Sequence, residues 1–334
     1  MRVTSEVFFH PLFEEGAIEK ERIAIIDEIK QRMDSHYYPI SKFFLKERFK
    51  KNHPLLLDGG GRVETLEKIT KEDMLKYWRE YFIPSNTYLH VSGNFENDNL
   101  LSQLNKYFAS HQNEKKFTGF PVMTNSDFTE RKISLRSDKK LQICYVDLSF
   151  PTISLEADLM DKIKQNIAFV ILGQLRNSRL FRLLRYQKGL VYDVRANASA
   201  YPGIGNGFIS LEVGCEYSKE AVELAVEELD KFRSIGPTPE ELTFAKNYLA
   251  NQWLMAFDHP TSIASWVENH LLWDDSVHLP EDYADMISDI TGADLVEVMQ
   301  KYWDFSKLNL TIQGPISGLD ALKKDYTKIL NKLK

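Results

Sequence analysis

The sequence predicts an α+β fold built from two related domains, each an antiparallel-rich sheet packed with helices, with the first domain partial. Three observations lead to this prediction. Two stretches of the chain repeat at a constant spacing, several amphipathic segments carry helix-capping signals, and alternating apolar residues predict strands between groups of helices. The 334 residues suffice for about two domains.

The repeat is clearest at two helix starts. Thr70-x-x-Asp73 corresponds to Thr291-x-x-Asp294, with a spacing of 221 positions. Each threonine is predicted to cap a helix whose third residue is an acid. The match continues without a gap through an amphipathic helix, a short turn and an alternating strand that ends at glycine. We therefore expect the two stretches, called here the first and second repeats, to be products of a duplication.

The repeat also predicts where the domains lie. The second repeat opens with an alternating strand at 141–150, whose counterpart in the first repeat would fall about 80 residues before Met1. We expect the chain to hold the C-terminal part of a first domain at 1–115, a polar linker at 116–135 and a complete second domain at 136–334.

The other elements follow from periodicity and turn signals. We expect Gly16 to end a short helix, Gly189 to cap a long one, and the triple glycine at 59–61 to be a flexible loop without the Lys-Ser/Thr of a phosphate loop. The predicted helices are 5–13, 17–33, 40–50, 71–82, 96–109, 156–187, 218–234, 238–257, 260–273, 291–303 and a final basic helix. The predicted strands are 87–93, 141–150, 190–201, 206–215 and 308–314.

Composition excludes several classes of function. A net charge of −6 offers no basic surface for nucleic acid or anionic membrane, and no apolar run reaches the roughly 18 residues of a membrane span. The opening residues lack the apolar core of a signal peptide, so the sequence as written predicts a cytoplasmic protein. Cys144 and Cys215 have no Cys-x-x-Cys partner and no nearby histidine ligand, so we expect two buried thiols and no disulfide.

Two acids are the first candidates for chemistry. Glu21 and Glu28 lie seven residues apart on the helix predicted at 17–33, so they share one face. They border the apolar stripe of that helix and could reach a cleft. The alternative, favoured by the local pattern alone, is an acidic edge that faces solvent.

A cation and a phenol are the second pair. Arg185 falls in the last turn of a predicted helix and Tyr192 early in the next strand, so the turn between them could direct both to one point. Together they could stabilise a carbonyl or an oxyanion. The alternative is a C-terminal arginine that favours the helix dipole beside a half-buried strand tyrosine. Arg176, Arg179 and Arg182 recur nearby and are interpreted as a solvated or ion-paired face.

The eight histidines carry no metal-binding motif. No pair is spaced four apart on a helix, and neither His-Glu-x-x-His nor His-x-x-Glu-His occurs. Gly-x-Ser-x-Gly is absent as well. On these grounds the sequence lacks a complete catalytic site.

The chain nevertheless resembles a known family over nearly its whole length. It is similar to the pitrilysin/insulinase metallopeptidases and the mitochondrial processing peptidases, which are built from duplicated α+β domains. The resemblance is carried by His10-Pro-Leu-Phe13, Glu19-Lys-Glu-Arg22, Asp27-Glu-Ile29, His53-Pro-Leu55, Glu67-Lys-Ile-Thr70, Leu172-Gly173, Ser178-Arg-Leu-Phe181, Arg185, Gly189-Leu-Val-Tyr192, Gly236-Pro-Thr238, Glu241-Leu242 and Ala245-Lys246.

The resemblance implies roles for the candidate residues. Members of this family bind zinc through two histidines of His-x-x-Glu-His and a downstream glutamate, and the glutamate within the motif is the general base. Glu28 matches the downstream ligand, Glu21 matches the acid that accompanies it, and Arg185 with Tyr192 matches the pair that the second domain contributes to the substrate. The family's peptide substrate adds a strand to a sheet edge of the first domain.

The sequence departs from the family where the chemistry is concentrated. The His-x-x-Glu-His motif is absent, and one carboxylate cannot replace the three protein ligands of a catalytic zinc site. We therefore predict that zinc belongs to the intact family enzyme, and that this chain alone binds none and hydrolyses no peptide.

Three functions stay open. The chain is a fragment of a zinc endopeptidase, a non-catalytic subunit that lends Arg185 and Tyr192 to a zinc-bearing partner, or a structural subunit like the respiratory-complex core proteins of the family. The expected partners are a peptide substrate of the intact enzyme and a second subunit in a homo- or hetero-dimer, with no nucleic acid and no membrane.

Overall fold

The computed structural model describes residues 1–109, 116–119, 123–273 and 276–333, and it confirms the predicted α+β class. The helices are α1 (Arg2–Phe9), α2 (Glu15–Asp34), α3 (Tyr37–Arg48), α4 (Val63–Leu66), α5 (Lys71–Tyr81), α6 (Asn97–Phe108), α7 (Leu159–Phe169), α8 (Ser218–Ile235), α9 (Pro239–Ala256), α10 (Pro260–Trp273), α11 (Pro280–Ser288), α12 (Gly292–Tyr302) and α13 (Leu319–Leu330). The strands are β1 (Lys132–Ser137), β2 (Cys144–Thr152), β3 (Val191–Tyr201), β4 (Ile204–Val213) and β5 (Asn309–Gly314). None of these helices combines the length and the apolar character that crossing a membrane requires.

The described residues group into two units. The first comprises Met1–Pro39, Leu57–Pro121 and His259–Glu268, and the second comprises Ile40–Leu56, Val122–Asp258 and Asn269–Lys334. These units are defined by spatial contact, whereas the domains proposed above are defined by sequence repetition. The domain boundaries at 115 and 136 therefore stay a prediction.

The second unit contains a five-stranded sheet in the order β1-β5-β2-β4-β3. β1 and β5 are parallel, and every other neighbouring pair is antiparallel. β2 lies between β5 and β4, and all nine of its residues are buried. β3 forms one edge, and its burial alternates in the way expected of a strand with one exposed face.

The two faces of this sheet differ in polarity. Phe150 of β2 packs on one face against Trp303, whose ring centroid is 5.5 Å away, and the Phe169 ring lies 4.9 Å from the same indole. Asp147 points to the opposite face because side chains alternate along a strand. There it accepts hydrogen bonds of 3.0 and 2.9 Å from Arg48, and both side chains are buried. Residues at the end of α3 therefore anchor to the polar face of the sheet.

The internal repeat is visible in the helix ends. Thr70 and Thr291 each cap a helix through a reciprocal pair of bonds with the acid three residues later, as predicted. At the C-terminal end of each helix, one backbone N–H donates a hydrogen bond to the carbonyl oxygen four residues earlier. The N···O distance is 2.9 Å from Phe82 to Trp78 and 3.0 Å from Trp303 to Met299. A 3₁₀ turn follows in each repeat, at Pro84–Asn86 and Phe305–Lys307, again 221 positions apart.

The strand predicted at 87–93 is not present, which corrects the expectation of a sheet in the first domain. Thr87 has an extended backbone, with φ −135° and ψ 131°, but among the described residues no strand pairs with the segment that follows it. Its counterpart β5 is paired along both edges, with β1 and β2. The alternating pattern indicates which side chains share a face, but hydrogen bonds to a neighbouring strand are what make a strand.

Two helix predictions also need correction. Gly16 lies within the first turn of α2 and does not end a helix. The preceding helix, α1, already ends at Phe9. The single helix predicted at 156–187 is interrupted by two π-helical segments, Val170–Gln174 and Phe181–Gln187. Gly173 packs so closely on β3 there that an added Cβ would lie 2.4 Å from the Cβ of Ala196. Helical periodicity alone does not reveal that contact.

Three further elements were not predicted. α4 is a helix of four residues, Val63–Leu66. β1 begins at Lys132, inside the segment assigned to the linker, and runs parallel to β5. α11 begins at Pro280, with Asp282 bonded back to the backbone N–H of Leu279. All three are short, and β1 becomes a strand through its pairing with a segment far along the chain.

The cysteine prediction is wrong. Cys144 and Cys215 form a disulfide, with Cα atoms 5.0 Å apart. Antiparallel pairing of β2 with β4 sets Cys144 opposite Val213, two residues before Cys215. The sheet register therefore brings together two residues that are 71 apart in sequence.

Candidate functional site

Arg185 is bonded to the start of β3, the strand that contains Tyr192. Arg185 lies in the π-helical segment Phe181–Gln187, and its Nη1 donates a 2.7 Å hydrogen bond to the carbonyl oxygen of Val191. The guanidinium is thereby fixed to the peptide group that precedes Tyr192. The structure therefore places the Arg185 guanidinium at the residue that precedes Tyr192, and the expectation that the turn directs both side chains to one point stays a prediction.

The chain around Tyr192 turns its side chain outward. Gly189 has φ +66°, a left-handed conformation that glycine adopts readily, and the β3–β4 register shifts between Val191 and Asp193. Tyr192 falls at that irregularity and is 61% exposed. The exposed phenol of Tyr192 therefore lies on the surface of the second unit, one residue after the carbonyl group that Arg185 binds.

Glu21 and Glu28 lie on α2 in the first unit, and both are exposed. Ile29, next to Glu28, is buried and anchors that helix. Among the described residues neither carboxylate has a hydrogen bond or an ion pair. The acids thus lie on one helix as predicted, and their role as a zinc ligand and its companion stays a prediction.

The described residues do not fit a catalytic zinc ion. They contain no group of three or more His, Cys, Asp or Glu side chains placed to hold a metal, whereas a catalytic zinc needs three protein ligands. Glu28 is a lone carboxylate in this respect. No step of a reaction is therefore assigned to zinc in this chain.

Arg179 is the most connected of the arginines beside Arg185. It donates to both carboxylate oxygens of Glu241, to Glu228 at 3.0 Å and to the carbonyl of Gly236 at 3.0 Å, and its guanidinium lies 4.6 Å from the Phe232 ring centroid. Burial alone would lower the pKa of Arg179, but the glutamates outweigh it and the pKa is raised. Arg179 thus joins the π-helical region to α8 and α9. Of the two environments predicted from the sequence for these arginines, solvated or ion-paired, Arg179 has the second.

A groove of about 610 Å³ lies along β3 and is lined in part by Asp193, Arg195 and Asn197, which were not among the residues predicted to carry chemistry. Arg195 pairs with Asp193 at 2.9 Å, and the same groove is lined by the exposed Arg176 and by Asn197. The sequence signal that could have identified these residues is the alternation of Asp193, Arg195 and Asn197 along one strand, because alternating polar residues indicate the solvent-facing side of a strand. The contribution of Arg176 depends on the tertiary structure.

The comparisons with known proteins agree with this architecture. A family model described as the peptidase M16 inactive domain matches residues 68–249, more than half of the chain. The fold is therefore that of a peptidase M16-type domain. The chain belongs to the peptidase M16 inactive-domain family.

Two curated relatives carry contrasting names. The chain is 26% identical over 261 residues to an uncharacterized zinc protease, YmxG, of Bacillus subtilis, covering 78% of this chain and 61% of the relative. It is 26% identical over 246 residues to the non-peptidase homolog YmxG of Helicobacter pylori, covering 73% of this chain and 55% of the relative. The chain therefore spans less than two thirds of either relative.

A solved structure shares the fold. The peptidase M16 inactive domain from Pseudomonas fluorescens superimposes with a TM-score of 0.81 at 17% identity, covering 94% of this chain and 73% of that one. Together with the zinc-protease names among the relatives, these findings confirm the resemblance to zinc metallopeptidases stated from the sequence.

Proposed function

We propose that this chain is a non-catalytic member of an M16-type peptidase assembly, and that it lends Arg185 and Tyr192 to a zinc site carried by another polypeptide. The observation that carries the proposal is the bond from Arg185 to the Val191 carbonyl, which fixes a cation to the residue that precedes the exposed Tyr192. The name of the Helicobacter pylori relative, a non-peptidase homolog, also supports a non-catalytic role.

The chemistry of the pair suits peptide hydrolysis. When a peptide carbonyl is attacked, negative charge develops on its oxygen, and donors already in position stabilise that charge without reorganising. The Arg185 guanidinium supplies a permanent positive charge, and the Tyr192 hydroxyl supplies a neutral donor. The substrates would be peptides or unfolded segments, since an extended backbone can reach an exposed pair.

Reconstitution tests the proposal. The chain would be co-expressed with the His-x-x-Glu-His family protein of its own organism, and cleavage of a fluorogenic peptide would be measured for each protein alone and for the mixture. We expect no activity from this chain alone and activity from the mixture. Arg185→Ala should lower kcat/KM by about 10²-fold or more, as the loss of an oxyanion donor does, and Tyr192→Phe should lower it by roughly tenfold.

Arg182→Ala is the matched control. Arg182 is exposed and lies in the same π-helical segment, three residues before Arg185, so its removal should leave kcat/KM unchanged. Chelator-sensitive peptidase activity in the purified chain with one zinc ion bound would contradict the proposal. A mixture that assembles but is equally active with Arg185→Ala would instead favour the structural-subunit function.

A further inference from the structure

We propose that a cleft between the start of β1 and α13, in the second unit, binds a phosphate group. The cleft has a volume of about 370 Å³ and is called the β1–α13 cleft below. The lining side chains that carry nitrogen or oxygen atoms are Arg131, Lys132, Lys323, Thr327 and Asn331. β1 and β3 form opposite edges of the sheet, so this site is separate from the one that contains Arg185 and Tyr192.

The local structure brings cations from two distant segments to this cleft. Lys323, Thr327 and Leu330 are spaced four and three residues apart on α13, so they share one face of the helix. Arg131 immediately precedes β1, and its Nη2 donates a hydrogen bond to the carbonyl oxygen of Leu330. That bond fixes the beginning of β1 to the last turn of α13. The final helix, which the sequence predicted to be basic, therefore contributes a lysine to a defined cleft.

Arg131 is a half-buried cation without a carboxylate partner among the described residues. Its pKa is lowered, and burial is the cause. Arg179 is also half-buried, but its bonds to glutamates raise its pKa. Removing a charge from water costs free energy unless the charge is paired. An anion in the β1–α13 cleft would therefore supply Arg131 with what Arg179 already has.

The carboxylate nearest to hand in the fold is engaged elsewhere. Arg131 also lines a second cavity, of about 440 Å³, to which Arg233 and Lys301 contribute cations and Asp304 contributes a carboxylate. Asp304 accepts hydrogen bonds from the backbone N–H and the hydroxyl of Ser306. It thus stabilises its own turn and leaves Arg131 unpaired.

The other charges of the β1–α13 cleft are positive as well. Among the described residues that line it there is no carboxylate. Lys132 bonds to Glu47 at 3.0 Å, whereas Lys323 has no ion pair within the described part of the chain. Arg131 and Lys323 therefore remain as two uncompensated cations, on a chain whose net charge is −6.

This balance of charge favours a phosphate monoester or inorganic phosphate as the ligand. Such a group carries about −1.5 to −2 charges at pH 7, which matches one arginine and one lysine. Arginine can donate two parallel N–H bonds to phosphate oxygens, and lysine acts as a point charge. The Asn331 amide offers neutral donors beside them. The phosphodiesters of nucleic acid carry one charge each along an extended backbone, which a single cleft with two cations does not match.

The size of the cleft leaves room for more than the phosphate group. Small-molecule sites have volumes of roughly 300–1,000 Å³, and the β1–α13 cleft falls within that range. We therefore expect a small phosphorylated molecule to bind at least as tightly as the free ion.

Isothermal titration calorimetry of the purified full chain tests the proposal. The probes are inorganic phosphate, glycerol phosphate and succinate, each at constant ionic strength because salt screens charge. We expect one saturable site for phosphate and a rise in Tm with its concentration. Glycerol phosphate should bind at least as tightly. Succinate should bind at least tenfold more weakly, because its two charges lie at opposite ends of a carbon chain.

Single substitutions locate the site. Arg131→Ala should weaken phosphate binding at least tenfold, as the loss of hydrogen bonds between charged groups does. Lys323→Ala should weaken it about threefold or more. Lys324→Ala is the matched control, since Lys324 is the exposed neighbour of Lys323 on α13 and does not line the cleft; its affinity should equal that of the parent.

The exposed position of Lys323 keeps the test independent of folding. Arg131 also bonds to α13, so its variant is compared with the parent by circular dichroism. Lys323→Ala leaves that bond in place, and its side chain is exposed.

Three results would overturn the proposal. They are the absence of both saturable heat and a Tm rise with phosphate and glycerol phosphate, succinate binding as tight as that of phosphate, and equal losses of affinity in Lys323→Ala and Lys324→Ala. Binding of phosphate with exclusion of glycerol phosphate would keep the site and assign it to the free ion. The outcome is separable from that of the proposed function, because Lys323→Ala should leave the reconstituted peptidase activity unchanged.

Discussion

Replacing Cys215 by serine is the most informative test of the second unit. The disulfide from Cys144 to Cys215 closes a loop with a sequence separation of 71 residues between β2 and the end of β4. Cys215 is half-buried, whereas Cys144 is fully buried. Serine at 215 therefore removes the covalent link with little loss of packing.

The expected magnitude follows from the loop length. A cross-link restricts the unfolded chain, and the chain-entropy relation gives about 4.4 kcal/mol at 25 °C for a loop of this size. Measured values are more often about 2–4 kcal/mol, so we expect a loss of about 3–4 kcal/mol in the free energy of unfolding. For a unit of roughly 200 residues, this corresponds to a fall in Tm of about 6–16 °C.

Urea unfolding of the oxidised parent, the reduced parent and Cys215→Ser would measure the effect. The reduced parent and the variant should lose the same free energy, and reductant should not change the variant further. Equal stability of all three samples, or two titratable thiols in the denatured and unreduced parent, would refute the reasoning. The redox state in cells also tests the expected cytoplasmic location, because structural disulfides rarely persist in a reducing cytosol.

Three further predictions follow from individual contacts. Gly314→Ala should lower the free energy of unfolding of the second unit by about 1–3 kcal/mol, because the Cβ of the new alanine would lie 2.5 Å from the Cys144 Sγ. The control is Gly16→Ala, whose Cβ would have no neighbour within 4 Å. Equal changes in Tm for the two variants would contradict the prediction. Burial alone would raise the pKa of Glu241, but its bonds to Arg179 lower it. The stabilisation that the Glu241 carboxylate contributes is thus present above the unfolded pKa of about 4.3, and it is lost as pH falls through the lower pKa of the folded state. The free energy of unfolding of the parent should therefore exceed that of Glu241→Gln by less in acid. A difference that does not change with pH would argue against the ion pair of Glu241 with Arg179. Metal analysis of the dialysed chain should find no stoichiometric zinc, since three ligands are needed, and one tightly bound zinc ion per chain would show this prediction to be wrong.

The elements that the sequence predicted well are those whose causes are local. The capping bonds of Thr70 and Thr291 reach three residues along the chain, so their spacing can be found in the sequence. The spacing of 221 extends to the 3₁₀ turn after each helix. A duplication copies local signals together, which is why comparing the chain with itself recovered them.

The elements that the sequence missed depend on distant segments. β1 is a strand because it lies beside β5, and the disulfide forms because β2 and β4 pair in one particular register. Tyr88–Gly93 has the same alternation as β5, yet it is not a strand because no described strand lies beside it. The alternating pattern indicates that a segment can pair as a strand. Whether it does depends on a neighbouring strand with which it can form backbone hydrogen bonds.

The candidate site divides in the same way. The sequence selected Arg185, Tyr192, Glu21 and Glu28 through the local pattern and the family resemblance, and the structure shows Arg185 bonded to the residue before Tyr192. The sequence could not predict the hydrogen bond from Arg185 to the Val191 carbonyl, because that bond forms where a π-helical segment contacts a strand. Assignment of catalytic or metal-binding roles to these four residues awaits the reconstitution experiment.

The sequence by itself determined the α+β class, the repeated helix ends and the absence of a His-x-x-Glu-His motif, because each depends on residue type and short-range spacing. Only the tertiary structure decided which strands pair, which cysteines bond, and which of the corresponding aromatic residues is covered, since Trp303 is buried and Phe82 is exposed. Those outcomes depend on segments that are far apart in sequence and adjacent in space. Their energies come from burial and hydrogen bonding between partners that a local pattern cannot identify.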